Sequence, residues 1–191
     1  DRKNRVRLGL NCLLVRNKDH NLLIDVGMGS KDPEVTREVY GLSSSKLLRS
    51  LRTHGLSARD IDTVLLSHLH FDHSGGALKL DREGNMIPTF PKARYVVQRG
   101  SWDEAHSPNE RAWPHFSLTR DVLDVLKKFN QIDLIDGDTE ILPGVQTRLT
   151  DGHCAGHQSV FINSGGERVA YLGDLVPTSS HVTLSYITAF D

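Results

Sequence analysis

Three histidines and an aspartate fall within six positions, His68-Leu69-His70-Phe71-Asp72-His73, directly after the apolar run Ile61, Val64, Leu65 and Leu66. No other feature constrains the chain as tightly. Imidazoles crowded at this density repel one another once protonated, so the cluster is costly unless a cation organises it. The apolar run reads as a central strand that stops abruptly at Ser67 and delivers the cluster on a loop. Side chains two apart on an extended chain share a face, so His68 and His70 can reach one ion. A turn after Phe71 would swing Asp72 and His73 toward a neighbouring ion, the separation that a two-metal site requires.

Two later segments repeat the pattern of polar residues behind a strand. Residues 150–157 carry His153 among glycines that permit close backbone turns, and one histidine here would complete three nitrogens around the first ion. Tyr171-Leu172-Gly173-Asp174 then sets a lone carboxylate after an apolar strand, where it is placed to bridge the two ions. Cys154 adjoins His153 but reads as a small buried packing residue, because no assigned general base is left to activate it. His157 reads as a structural hydrogen-bonding residue of the loop that presents His153, with orientation of the ligands as its functional counterpart. His20 and His54 read as solvated loop or helix-end residues.

The remaining chain predicts a hairpin from residues 11–16 and 22–25 around a five-residue loop at 17–21. A helix follows at 46–51 with Gly55 as its C-terminal cap. Residues 77–80 read as the start of a helix and 81–88 as a solvated turn, before a strand at 94–98. Thr119 opens a helix whose apolar side carries Val122, Leu123, Val125, Leu126 and Phe129. Short strands are expected at 132–135, 140–142, 145–149, 159–163 and 169–172. Their close spacing favours mixed sheets covered by helices, a layered α/β sandwich, over a doubly wound sheet. Residues 102–116 hold two tryptophans and two histidines, and read either as packing or as a lid over an acyl groove.

A chain of 191 residues suits one domain spanning 1–191. Its net charge of -1 provides no field to attract nucleic acid or a membrane surface, so a small neutral or weakly anionic substrate fits better. No apolar run approaches the ~20 residues of a membrane span. A soluble, cytoplasmic protein is expected, and a homodimer is compatible with the composition. The chain starts without methionine and stops directly after an apolar stretch, which reads as truncation at both ends, the C-terminus above all.

Together the three clusters resemble the metallo-β-lactamase-fold superfamily, whose His-x-His-x-Asp-His pattern is matched by residues 68–73. The resemblance implies an αββα sandwich of four layers, two mixed β-sheets flanked by helices, with the second half incomplete. It implies that His68, His70 and His153 hold one metal and Asp72 and His73 another, with Asp174 shared. A hydroxide bridging the metals would attack an ester-type carbonyl, making Asp72 and Asp174 the catalytic carboxylates. The ions would be two divalent cations, with zinc the default and iron or manganese accepted by the same donors. Family members usually carry one further histidine some tens of residues beyond the shared aspartate. His181 stands too close for that role and reads as pocket wall. Leu10-Asn11-Cys12-Leu13-Leu14, His70 through Gly76, and Gly152-His153 with Gly156-His157-Gln158-Ser159 look like the branch of N-acyl homoserine lactonases and related hydrolases. Lactone opening is the activity this implies. Those lactonases have a tyrosine three residues after the shared aspartate, whereas Pro177 stands here. The alternatives are a glyoxalase II-like thioesterase, a mononuclear iron persulfide dioxygenase, and a metal-binding but catalytically incompetent fragment.

Overall fold

In the computed structural model, which describes residues 8–31, 38–42, 45–117 and 119–182, the apolar run before the histidines becomes the middle strand of a five-stranded sheet. The first elements are β1 (Leu13–Arg16), β2 (Asn21–Ile24), α1 (Leu47–Thr53), β3 (Thr63–Leu65), α2 (Phe71–Ser74), β4 (Leu78–Leu80) and β5 (Met86–Pro88). There follow β6 (Arg94–Gln98), α3 (Arg99–His106), α4 (Trp113–Phe116), α5 (Arg120–Lys128), β7 (Ile132–Ile135), β8 (Thr139–Leu142), β9 (Val145–Leu149), β10 (Gln158–Ser164) and β11 (Glu167–Tyr171).

The first sheet has the order β1-β2-β3-β6-β7, with an antiparallel opening hairpin and parallel pairs from β2 onward. Its central strands are apolar on both faces because both faces are covered. Leu23, Val64, Tyr95 and Val97 point toward α1, α3, α4 and α5, joining Leu51, Ala105, Phe116, Val122, Leu123 and Leu126 in one core. Their neighbours Leu22, Ile24, Leu65 and Val96 point the other way and meet Val145 and Val160 of the second sheet. Burying each such side chain contributes about 1.5–3 kcal/mol, so this inter-sheet cluster is worth on the order of 10 kcal/mol before chain entropy is counted.

The second sheet is an antiparallel meander ordered β11-β10-β9-β8. One face lies on the first sheet and the other faces water, where Phe161, opposite Gln146 and Ala170, is 38% exposed. Among the described residues no helix packs on that outer face, so they supply three layers, helices on sheet on sheet. A depression of 480 Å³ on this face is lined by Gln146, Arg148, Phe161 and Arg168. It gathers no titratable cluster like the one at the strand ends. No helix among the described residues is long and apolar enough to cross a membrane.

Three local expectations are corrected. The register Arg16↔Asn21 leaves residues 17–20 as the hairpin loop, one shorter than expected. Residues 78–80 form no helix but pair with 86–88, Leu80 opposite Met86, around a turn in which Asp81 Oδ1 accepts the backbone N–H of Glu83 and Asn85. The alternation Leu-Lys-Leu is a strand period too short to outweigh a helical reading. His20 is not a solvated loop residue, since its Nε2 lies 2.9 Å from Thr63 Oγ1. The segment 102–116 divides: Ala105 and Phe116 are fully buried, whereas Trp113 is 46% exposed.

Candidate metal centre

Three of the histidines are set by the junction between β2, β3 and the loop that follows. Val26 N–H donates to the His73 carbonyl at 2.9 Å and Gly76 N–H to that of Gly27 at 2.7 Å, lacing the two strand ends together. This close approach explains Gly75-Gly76. A Cβ on Gly75 would sit 2.6 Å from Met28 O, and one on Gly76 would sit 2.2 Å from Val26 O. The one-turn α2 then rotates Asp72 and His73 away from His70, the turn expected after Phe71.

Asp25, buried and at φ +54°, organises this junction. Its Oδ1 accepts the Ser67 N–H at 2.7 Å, while Oδ2 accepts the Ser67 hydroxyl and lies 2.7 Å from His73 Nδ1. Because Ser67 Oγ donates to Asp25, it accepts the Nδ1 proton of His68, 3.0 Å away. Both histidines are thereby held as Nδ1–H tautomers with Nε2 directed inward. The Tyr171 hydroxyl lies 2.8 Å from Asp25 Oδ2 and 2.7 Å from Asn11 O, tying β11 to the same carboxylate.

The second sheet supplies the opposite wall. Gln158 N–H donates to Ser67 O at 2.9 Å, and its side chain donates to Leu66 O at 2.7 Å, locking the start of β10 to the end of β3. The 151–157 loop is pressed against α3. Glu104 accepts the Ala155 N–H at 3.0 Å, and a Cβ on Gly156 would meet Ser101 N at 2.2 Å. His153 is thus brought to His70, with Nε2 to Nδ1 at 3.0 Å. Asp174 reaches both sides: Oδ1 lies 3.2 Å from His73 Nε2 and Oδ2 3.5 Å from His153 Nε2.

Two groups of donors converge here, His68 with His70 and His153, and His68 with His73 and Asp174, each set lying within 4.8 Å. Asp72 Oδ2 is 3.7 Å from His73 Nε2, so all six residues expected to bind metal line one cluster. The donor set suits a divalent cation. His68 Nε2 is buried without a hydrogen-bond partner among the described residues, which is costly for a polar atom unless something electropositive lies beside it. Two imidazoles on one tetrahedral zinc, at Zn–N of about 2.0–2.1 Å, have nitrogens roughly 3.3 Å apart, close to the His70–His153 spacing.

Electrostatics follow from this packing. Burial, then the surrounding imidazoles, drive the His68 pKa well below its ordinary value and that of His70 down to about 2. Both are neutral, as ligands must be. Burial raises the Asp72 pKa. On His73 burial is the largest single influence and opposes its charge, but Asp25, Asp174 and Asp72 outweigh it and hold the pKa well above normal. Burial likewise works against the Asp174 carboxylate, yet hydrogen bonding and charge from His73 prevail and lower its pKa.

Sequence reasoning missed Asp25, Ser67 and Tyr171. The signal for Asp25 is Leu22-Leu23-Ile24-Asp25, an apolar run ending in an acid, which a hairpin explains without a further role. His157 does brace the loop, its carbonyl accepting the N–H of Thr150 and Asp151. Cys154 is half-buried rather than buried. His181 contacts Thr178 through Nδ1 at 2.7 Å and belongs to neither donor group.

The sequence profile of the Metallo-beta-lactamase superfamily matches residues 6–190, and the chain belongs to that superfamily. Among particular relatives, it is 29% identical over 170 residues to an N-acyl homoserine lactonase of Bacillus sp, covering 80% of this chain and 58% of that one. It also resembles the solved structure of a probable metal-dependent hydrolase from Staphylococcus aureus, with a TM-score of 0.82, 31% identity, and coverage of 93% and 62% of the two chains. AidC, a dizinc quorum-quenching lactonase solved with a product, matches with a TM-score of 0.70 and 26% identity, over 86% of this chain and 56% of that one. The chain therefore spans less than two thirds of the length of these relatives.

Proposed function

We propose that this cluster holds two divalent cations and that the protein is a metal-dependent hydrolase that opens lactones, with N-acyl homoserine lactones the leading substrate class. In this reading His68, His70 and His153 hold one cation, Asp72 and His73 the other, and Asp174 is shared. The observation that carries it is the buried His68 Nε2, without a hydrogen-bond partner among the described residues and set among the remaining donors. Zinc is favoured by the imidazole and carboxylate donors, and the similar lactonase AidC is dizinc.

Paired divalent cations supply acidified water and polarise an ester carbonyl, so no serine or cysteine nucleophile is needed. The protein's own part is placement. Asp25 fixes the direction of His68 through Ser67 and of His73 directly. Asp72 orients the attacking water. Pro177 occupies the position where the resemblance calls for a tyrosine. The Tyr171 hydroxyl is engaged by Asn11 and Asp25 and does not take its place. At the mouth of the site the His115 ring stacks on His70 at 4.7 Å, and the exposed Trp113 stands two residues earlier on α4. This supports a lid that covers an acyl chain.

A panel of lactones, thioesters and β-lactams assayed with the zinc-loaded chain tests the proposal, with the highest turnover expected for acyl lactones. Asp72→Ala is expected to abolish turnover while leaving the circular dichroism spectrum intact; a normal rate in that variant sinks the assignment. Trp113→Ala is expected to raise KM for long-chain lactones more than for short ones. One metal per chain with oxygen consumption would instead establish the dioxygenase reaction.

A further inference from the structure

His157 lies against the metal centre but belongs to neither donor group. Its ring is fully buried, with centroids 5.2 Å from His68 and 5.7 Å from His153. Thr150 Oγ1 donates to the His157 carbonyl at 3.2 Å and therefore accepts the ring Nδ1–H, 2.7 Å away. That fixes the other nitrogen as an acceptor. It is used: the backbone N–H of Asp174 donates to His157 Nε2 at 3.2 Å. The residue before Asp174 is shaped to allow this contact. Gly173 sits at φ +56°, and a Cβ there would lie 2.7 Å from His157 Nε2 and 3.2 Å from Ser67 Cβ.

We propose that His157 is a positioning residue that sets the reach of the Asp174 carboxylate by holding its backbone N–H. This rests on the two-cation reading, in which Asp174 alone serves both ions. Its two oxygens face His73 and His153 from a short turn, Gly173–Leu175, rather than from a long helix or strand. Zinc–oxygen bonds of about 2.0–2.2 Å tolerate little drift. The acceptor at Nε2 is thus a strut between the 150–157 loop and the shared carboxylate, and it couples the element carrying His153 to the one carrying Asp174.

The experiment is a zinc titration of the metal-free chain, read by calorimetry and by metal content after gel filtration, on the parent, His157→Leu, His157→Gln and Asp174→Asn. Leucine fills the space without an acceptor, whereas glutamine restores an acceptor oxygen. The expected result is that His157→Leu weakens the looser zinc by about 10–100-fold, in the direction of Asp174→Asn, and that His157→Gln returns to within a few-fold of the parent. Parent-like zinc binding by His157→Leu overturns the proposal. Equal weakening by leucine and glutamine also overturns it, since ring packing would then be the whole role. Should His157→Leu fail to fold, amide exchange in the labelled parent decides: the Asp174 N–H is expected to be protected, and exchange at the rate of an open loop refutes the strut. A parent that binds no zinc removes the two-cation reading itself, whereas a two-zinc parent with an indifferent His157→Leu removes only the strut.

Discussion

The two sheets contribute to one site by different physical means. The first is covered on both faces, and it presents His68, His70 and His73 from a strand end sealed between two apolar clusters. The second has one face on the core and the other in water, with Phe161 exposed. It places His153 and Asp174 through local hydrogen bonds, chiefly Gln158 to Ser67 and Leu66, Glu104 to Ala155, and His157 to Asp174. The first wall of the site is therefore held by packing around one buried polar centre, Asp25, and the second by polar struts alone. Damage to the first should cost the fold, and damage to the second should cost the metal while the fold persists.

The largest expected effect is in the first sheet. Leu65 is fully buried between the sheets, and Leu65→Ala should destabilise by about 2–5 kcal/mol in urea unfolding, through lost burial and the cavity left behind. A cost below about 1 kcal/mol, the scale of a surface substitution, would break the comparison. Next comes Asp25→Ala, which strips an acceptor from Ser67, His73 and Tyr171 at once. It should cost about 1–3 kcal/mol and also weaken zinc about 10–100-fold, because two histidines lose their fixed tautomers.

Acidification of the metal-free chain gives a smaller, graded effect. Burial above all, then neighbouring imidazoles, holds His68 and His70 below their ordinary pKa, His70 at about 2. The same causes lower His157 to about 4. Below about pH 6.5 the unfolded chain takes up protons on these residues that the folded chain refuses, so stability falls as the pH drops from there toward 4. His73 acts oppositely, since its raised pKa gives a contribution present below about pH 6.5 and lost as pH rises through the folded value. Asp72, whose pKa burial raises, acts in the same sense as His73. With three buried imidazoles against these two groups, the urea midpoint should be lower at pH 5 than at pH 7; a higher one contradicts the burial of neutral imidazoles. The smallest effect belongs to the bare face: Gln146→Ala, at an exposed position opposite Phe161, should change stability by no more than about 0.5 kcal/mol.

Much of this was legible in the sequence where one short stretch carries both fold and chemistry. The run before Ser67 is apolar because its strand is buried on both faces, and the glycines at 75–76 follow from backbone contacts no side chain would permit. The strands at 94–98, 132–135 and 145–149 were readable from apolar runs between turns, and α5 from its apolar face and terminal lysines. The β4–β5 hairpin was not, because three residues carry too little periodicity to separate strand from helix. Asp25 was hidden for another reason. Its role depends on His73, 48 residues away, and on Tyr171, 146 residues away, and only the closed fold brings those partners together. Likewise, Gly173-Asp174 looked like a turn with a carboxylate, while its strut to His157 is visible only once β10 and β11 have paired.

The most direct test of the two-cation centre is an anomalous difference map from a zinc-soaked crystal of this chain. The expected result is two peaks about 3.5–4 Å apart, one beside His68, His70 and His153 and the other beside Asp72 and His73, with the Asp174 carboxylate between them. A single peak, or zinc bound away from His68 Nε2, would contradict it.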